Sequence, residues 1–488
     1  MSALLGAAPA ARAAVIPVID VIPNAVSAET GQNSEPSIAV DPLNPNMMIS
    51  GAFSSATSGN DLATPYWIST NGGTIWTGFG TLPSSDKSLA WEQSGAAALT
   101  TTLNVVSNPP LRDTISTFQS GATNFGSAIN TTANGVLDQP WIRTGPGGET
   151  YLALNNLGNA AGKTASLLVS SNNGVAYGSQ VTLETVTPAG GQDAPSVRTA
   201  VNGSTVYAAF TRWGTPTSNA NGTTFSGSQV VVVKSINSGA AFSAGVSAAT
   251  TTGYFANASN TLLTLGQERT SSDVAIAVDP NNANHVVVAY GDAAAGNAGG
   301  QLLLHVVEST DGGATWTQKF TTSSAVRSAL PGITILADGQ IGLLYASYDP
   351  AANELSQHLV TTTDDFATTT DSLLGMQTNA TPTANFFPYL GDFYDLTSVG
   401  NTMYGIFSAS NDDNGTLASY PDAIFQRDFT GTPNTASFQL TDLMGNPVSL
   451  SIDPFFFSFT SVPVPEPGTL TLLGAWLLGM AALRRRRS

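Results

Sequence analysis

Four segments of this chain repeat one pattern. An acidic residue, with a proline close behind in three copies, leads into small and β-branched residues. The copies are Glu35-Pro36-Ser37-Ile38-Ala39-Val40, Asp138-Gln139-Pro140-Trp141-Ile142-Arg143, Asp193-Ala194-Pro195-Ser196-Val197-Arg198 and Asp273-Val274-Ala275-Ile276-Ala277-Val278. Weaker copies start near Glu92, Ala329 and Pro388. A turn and a second strand pattern follow each strong copy, as in Val206-Tyr207-Ala208-Ala209-Phe210. A third strand pattern comes next, such as Val230-Val231-Val232-Val233-Lys234. Self-similarity at a steady spacing marks a repeat architecture, in which each unit buries its apolar faces against its neighbours.

The third strand pattern usually ends in a second signature. Ser309-Thr310-Asp311-Gly312-Gly313-Ala314-Thr315-Trp316 is the full form, and Ser69-Thr70-Asn71-Gly72-Gly73-Thr74-Ile75-Trp76 is close to it. Segments 170–177 and 235–242 keep the Ser, an Asn, the Gly and an aromatic, while Thr362-Thr363-Asp364-Asp365 is reduced. Asp or Asn starts a turn by bonding its own backbone, and Gly supplies positive φ. The pattern resembles the Asp box, or BNR repeat, of sialidase-like β-propellers. That resemblance implies a structural role for Ser69, Asn71, Gly73 and Trp76, and for Ser309, Asp311, Gly313 and Trp316. It implies an all-β fold: one β-propeller of four-stranded blades over 33–460, with seven blades, or six if the weak repeat at Glu92 is discounted.

Composition agrees with an all-β reading. Only 10% of the 488 residues are charged, against ~25% in ordinary globular proteins, so long charged helices and coiled coils are excluded. There is no cysteine, which excludes disulfide scaffolds, zinc fingers and thiol nucleophiles. A net charge of -17 argues against a nucleic-acid partner.

In a propeller the inner strands start around one mouth of the central channel. Glu35, Glu92, Asp138, Asp193, Asp273 and Asp392 are therefore expected there as a ligand or cation site. Acids crowded without cations raise one another's pKa or recruit an ion such as calcium. No firm metal site is expected from His285, His305 and His358. The sialidase resemblance does not extend to chemistry: its opening-strand arginine motif is replaced by Glu35-Pro36-Ser37-Ile38. Arg143 and Arg198 lie within inner strands and, with Asp138 and Asp193, are the candidate catalytic residues. The main expectation is a binding or structural module for polysaccharide or a surface protein. The alternative is a glycoside-active enzyme on the same scaffold, an exo-sialidase-like glycosidase.

The ends carry an address. Pro465-Glu466-Pro467 precedes an apolar run from Leu470 to Leu483, and Arg484, Arg485, Arg486 and Arg487 follow. Fourteen residues is short for a spanning helix, and the arginines act as a positive-inside stop. The whole pattern over 461–488 resembles the PEP-CTERM sorting signal of Gram-negative bacteria. That resemblance implies an exosortase partner, a C-terminal apolar helix held transiently in the inner membrane, and release to the cell surface or extracellular matrix. Residues 1–13 read as a truncated signal peptide ending in Ala11-Arg12-Ala13, and 14–32 as a linker.

Overall fold

The computed structural model describes residues 15–24, 32–55, 63–83, 86–106, 111–131, 136–157, 163–186, 196–219, 222–256, 274–293, 302–378, 390–412, 423–432, 439–448 and 450–461. Among these there is no helix, and the strands form a seven-bladed propeller. The innermost strands of blades 1 to 7 are Gln32–Val40, Leu89–Trp91, Leu137–Thr144, Val197–Asn202, Val274–Asp279, Arg327–Ile335 and Asp395–Val399. Three antiparallel strands extend each blade outward. Blade 4 is enlarged, because its long third strand, Gly222–Ser235, also pairs with Thr215–Asn219.

The ring closes by joining the two ends of the described chain. Val18–Asp20 is the fourth strand of blade 7: it pairs antiparallel with Ile452–Thr460, matching Val18 to Phe457 and Asp20 to Phe455, and carries the short parallel strand Ala423–Ile424 on its outer side. The 14–32 segment is therefore not simply a linker, since it contributes this closing strand. The 461–488 signal and the 1–13 leader lie outside the described residues, apart from Ser461.

Apolar clusters fill all seven interfaces between neighbouring blades. Between blades 1 and 2, for example, Ala39, Ile49 and Tyr66 meet Leu89 and Trp91. Between blades 4 and 5, Tyr207 and Val232 meet Ile276 and Val288. Each sheet is apolar on both faces, so it needs a neighbour on each side, and only a closed ring satisfies every sheet.

The reading of seven blades holds, with one change of register. The inner strand of blade 2 is Leu89–Trp91, so Glu92 does not start it. Glu92 opens the following turn, its N–H donating to Ala97 O at 2.9 Å, as Asp41 N–H donates to Met47 O at 3.0 Å in blade 1. Asp86-Lys87-Ser88-Leu89-Ala90-Trp91 is the true counterpart of Glu35-Pro36-Ser37-Ile38-Ala39-Val40. The two serines play one role: Ser37 Oγ accepts from Leu89 N–H at 3.0 Å, and Ser88 Oγ accepts from Ile142 N–H at 2.7 Å.

Five of the third-to-fourth-strand loops share one hydrogen-bond pattern. Ser69, Ser170, Ser235, Ser309 and Thr362 each donate a hydroxyl to the acid or amide two residues on, at 2.8–2.9 Å. Each hydroxyl also accepts the N–H four residues on, at 2.8–3.0 Å. The reduced copy at Thr362 thus folds like the full one. These loops lie on the face where the inner strands end, opposite the face where they start.

Candidate functional site

Three inner strands begin with the same kink. Glu35, Gln139 and Leu330 have φ of 51°, 53° and 60°, and a proline follows each. The strand register shifts at all three positions. Proline has no N–H for the ladder, so it is accommodated at a bulge, and the bulge turns the preceding side chain off the sheet. A non-glycine residue with positive φ is uncommon, and such backbone strain concentrates at functional sites.

Around these kinks the structure gathers a charged layer. Lys87, wholly buried, donates its ammonium to the carbonyl of Glu35. Gln139 Nε2 donates to Asp392 Oδ2 at 3.0 Å, and its Oε1 accepts from Arg198 Nη2 at 2.9 Å. Arg143 Nη2 meets Asp395 Oδ1 at 3.0 Å, while Asp395 Oδ2 accepts from Ser37 Oγ at 2.8 Å and Ile38 N–H at 3.2 Å. The guanidiniums of Arg143 and Arg198 stand 4.3 and 4.4 Å from the Trp141 ring. Phe393 meets Trp141 edge-on at 5.3 Å. Gly391, at φ 101°, lets blade 7 touch blade 1: a Cβ there would lie 2.4 Å from Glu35 Cγ.

Of the acids expected at this mouth, Glu35, Asp138 and Asp392 are there and buried. Glu92 is at the other end of its strand. Asp193 and Asp273 lie outside the described residues, as do Pro465, Glu466, Pro467 and Arg484 to Arg487. Lys87 stands among these acids, beside the Arg143 and Arg198 expected from the inner strands. The electrostatic reason for calcium at this mouth is met by the protein's own charges. Sequence reasoning missed Asp86, Lys87, Gln139, Phe393 and Asp395. The Asp86–Trp91 match to the blade 1 repeat was the available signal for the first two.

Burial pushes the Lys87 amine down to about 8, against the pull of Glu35, Asp86 and Asp395. Such an amine exchanges its proton near neutral pH. Arg143, Arg198 and Gln139 supply fixed donors of the kind that hold a carboxylate or sulfate. The carboxylates supply acid–base capacity. On the other side of this layer the channel opens into a cavity of about 440 Å³ toward the strand-end face. Arg143 reaches it, alongside Trp91, Thr144, Thr334 and Ser398. Trp67, Trp91, Trp141 and Trp213 are buried, so none of them forms an exposed stacking platform.

His305 and His358 hold equivalent places in blades 5 and 6. Each stacks on a tyrosine, Tyr290 at 5.3 Å and Tyr345 at 4.9 Å. Each is also bonded within its own blade, His305 to Thr321 and His358 to Ser347 and Asp371.

No family model matches the chain, and no curated protein matches it. Among solved structures, it is similar to a polysaccharide lyase, an ulvan lyase, at 10% identity, covering 78% of this chain and 92% of that one, with a TM-score of 0.49. It is also similar to an α-L-arabinofuranosidase from Fusarium graminearum at 11% identity, covering 69% and 93%, with a TM-score of 0.43. A third similar structure is the leech intramolecular trans-sialidase, at 11% identity, covering 68% and 67%, with a TM-score of 0.41.

Proposed function

We propose that this chain is an exported propeller that acts on an acidic glycan at the strand-start mouth of its channel. The observation that carries this reading is the layer that Lys87, Gln139, Arg198 and Asp392 build across blades 2, 3, 4 and 7. It joins fixed cationic donors, for an acidic sugar, to carboxylates and an amine with a proton to exchange near neutral pH. Arg198 binds the substrate's anionic group, and Asp138 serves as acid or base, in hydrolysis or in eliminative cleavage. The exported location rests on the resemblance of 461–488 to a sorting signal, with an exosortase as the processing partner and the extracellular matrix as the destination.

A second reading, a matrix-binding module, is favoured by the burial of the layer. Glu35, Lys87, Asp138, Arg198 and Asp392 are all at most 6% exposed. Their pairing across blades also serves to hold the ring together.

One experiment separates the two. The purified chain is incubated with acidic polysaccharides, including the producing cell's own, and new reducing ends and absorbance from unsaturated products are followed. Release that stops in Asp138→Asn or Arg198→Met, with the melting temperature kept, supports the enzyme. Co-sedimentation with polymer and no release supports the binding module. Neither release nor binding overturns both.

A further inference from the structure

A second cluster lies on the opposite, strand-end face, between blades 5 and 6. His285 stands near the start of the second strand of blade 5, Asn282–Asp292, and Glu308 near the end of its third strand, Leu303–Ser309. Asp365 comes from the loop after the third strand of blade 6, Glu354–Thr362. One ligand atom from each, an imidazole nitrogen and two carboxylate oxygens, lies within 4.8 Å of the others.

The imidazole is already ordered as a ligand would be. Its Nδ1 faces Asp279 Oδ2 at 3.1 Å and its Nε2 faces Glu308 Oε1 at 2.8 Å. When Nδ1 donates to Asp279, the Nε2 lone pair points at Glu308. A carboxylate behind a histidine, fixing its tautomer, is the usual outer shell of a metal-bound imidazole. Two ligand atoms at ~2.0–2.2 Å from one ion stand roughly 3 Å apart, so His285 and Glu308 need only a few tenths of an ångström of relaxation.

Asp365 is the one charged residue among the five equivalent loop positions. Its counterparts are Gly72 and Gly312, with Asn173 and Ser238 in the other two loops, and all five positions have positive φ. Asp364, beside it, makes the loop's own bonds to Thr362 and Thr368. The exposed Asp365 carboxylate is thus an addition to the turn, directed at blade 5. This loop position reaches the preceding blade elsewhere too: Ser238 Oγ of blade 4 donates to Glu149 Oε1 of blade 3 at 3.1 Å. The other oxygen of Glu308, Oε2, is held by Lys319 Nζ at 2.5 Å, which leaves Oε1 for the site.

We propose that His285 Nε2, Glu308 and Asp365 bind one divalent transition cation, bridging blades 5 and 6, with Asp279 orienting the imidazole. A nitrogen ligand beside two carboxylates suits zinc or manganese better than calcium, which takes oxygen ligands only. Lys319 competes as a resident positive charge.

The test uses the full chain, stripped with a chelator and equilibrated with Zn²⁺, Mn²⁺ or Ca²⁺ separately. Bound metal is counted by mass spectrometry after desalting, and melting is followed with and without metal. The expected result is one Zn²⁺ or Mn²⁺ per chain and a metal-dependent rise in melting temperature. Asp365→Asn and His285→Gln should each weaken binding by at least ~10-fold, the scale of losing one supporting group at a metal site. Lys319→Met should bind at least as tightly as the unaltered chain. Asp365 is exposed, so its variant should melt as the unaltered protein does without metal. No bound metal in the unaltered chain, binding by Lys319→Met alone, or binding unchanged in both ligand variants would each overturn the site. The site shares no residue with the channel mouth and is read by binding, so glycan turnover has no bearing on the outcome.

Discussion

The Arg143 guanidinium lies 3.0 Å from the Asp395 carboxylate, so the inner strands of blades 3 and 7 are tied across the channel rather than through their neighbours. Asp395 is 1% exposed at its side chain and Arg143 24%, so the pair is half buried. Breaking a buried pair from one side strands the other charge. Arg143→Met should destabilise the chain by about 2–4 kcal/mol, somewhat less than a fully buried pair would lose. Adding Asp395→Asn should return part of that loss. Urea midpoints of the two single variants and the double variant measure the coupling. Simple additivity would show that the tie contributes nothing.

Ring closure depends on an ion triad. The Arg427 guanidinium contacts both Asp20, on the closing strand, and Asp453, on the strand beside it, and all three side chains are fully buried. Burial raises Asp20 to about 7 against the pull of Arg427, and repulsion from Asp453 adds to the rise. The folded chain therefore keeps a proton on Asp20 that the unfolded chain releases near 3.8. The resulting stabilisation is complete below the unfolded value and is lost as pH rises through the folded one. Asp20→Asn should remove this slope, so the unaltered protein loses melting temperature relative to the variant between about pH 4 and pH 7. Parallel melting curves for the two proteins would refute the assignment.

Lys87 predicts the opposite slope at higher pH. Burial lowers its amine from 10.5 to about 8, so the unfolded chain holds this proton more tightly than the folded one. Its contribution to stability should grow as pH rises from about 8 toward 10, and is lost as pH falls through the folded value. Lys87→Met should lack that growth. Melting of both proteins at pH values around 8 and 9.5 decides it, below the range where buried tyrosines ionise.

Two loop glycines separate backbone strain from packing. Gly73 has φ 84° and Gly313 φ 88°, so alanine at either position costs about 1 kcal/mol in backbone strain. At Gly73 a Cβ would also fall 2.1 Å from Phe456 of blade 7, whereas at Gly313 the nearest atoms are 3.6 Å away. Gly73→Ala should therefore lose about 2–4 kcal/mol and Gly313→Ala about 1 kcal/mol. Equal losses by denaturant titration would mean that the Phe456 contact relaxes freely.

The sequence by itself determined the repeat, the turn chemistry and the all-β class. A hydroxyl and an acid or amide two residues on make a turn from contacts at most four residues apart, so the loops were legible even in the reduced copy at Thr362. Apolar strands that recur between such turns ask for neighbours on both faces, which pointed to a ring. Tertiary structure decided what depends on distant partners. Val18–Asp20 became a blade strand only by meeting Phe455 to Phe457, more than 400 residues on. The register of blade 2 was settled by Ser37 and Ser88 bonding successive inner strands, which placed Lys87 at the channel mouth and sent Glu92 to the far face. His285, Glu308 and Asp365 lie apart in the sequence, and only the packing of blade 6 against blade 5 brings them together. Local bonds are written in neighbouring residues. Charge pairing and ligand geometry arise between blades, where chain separation says nothing about distance.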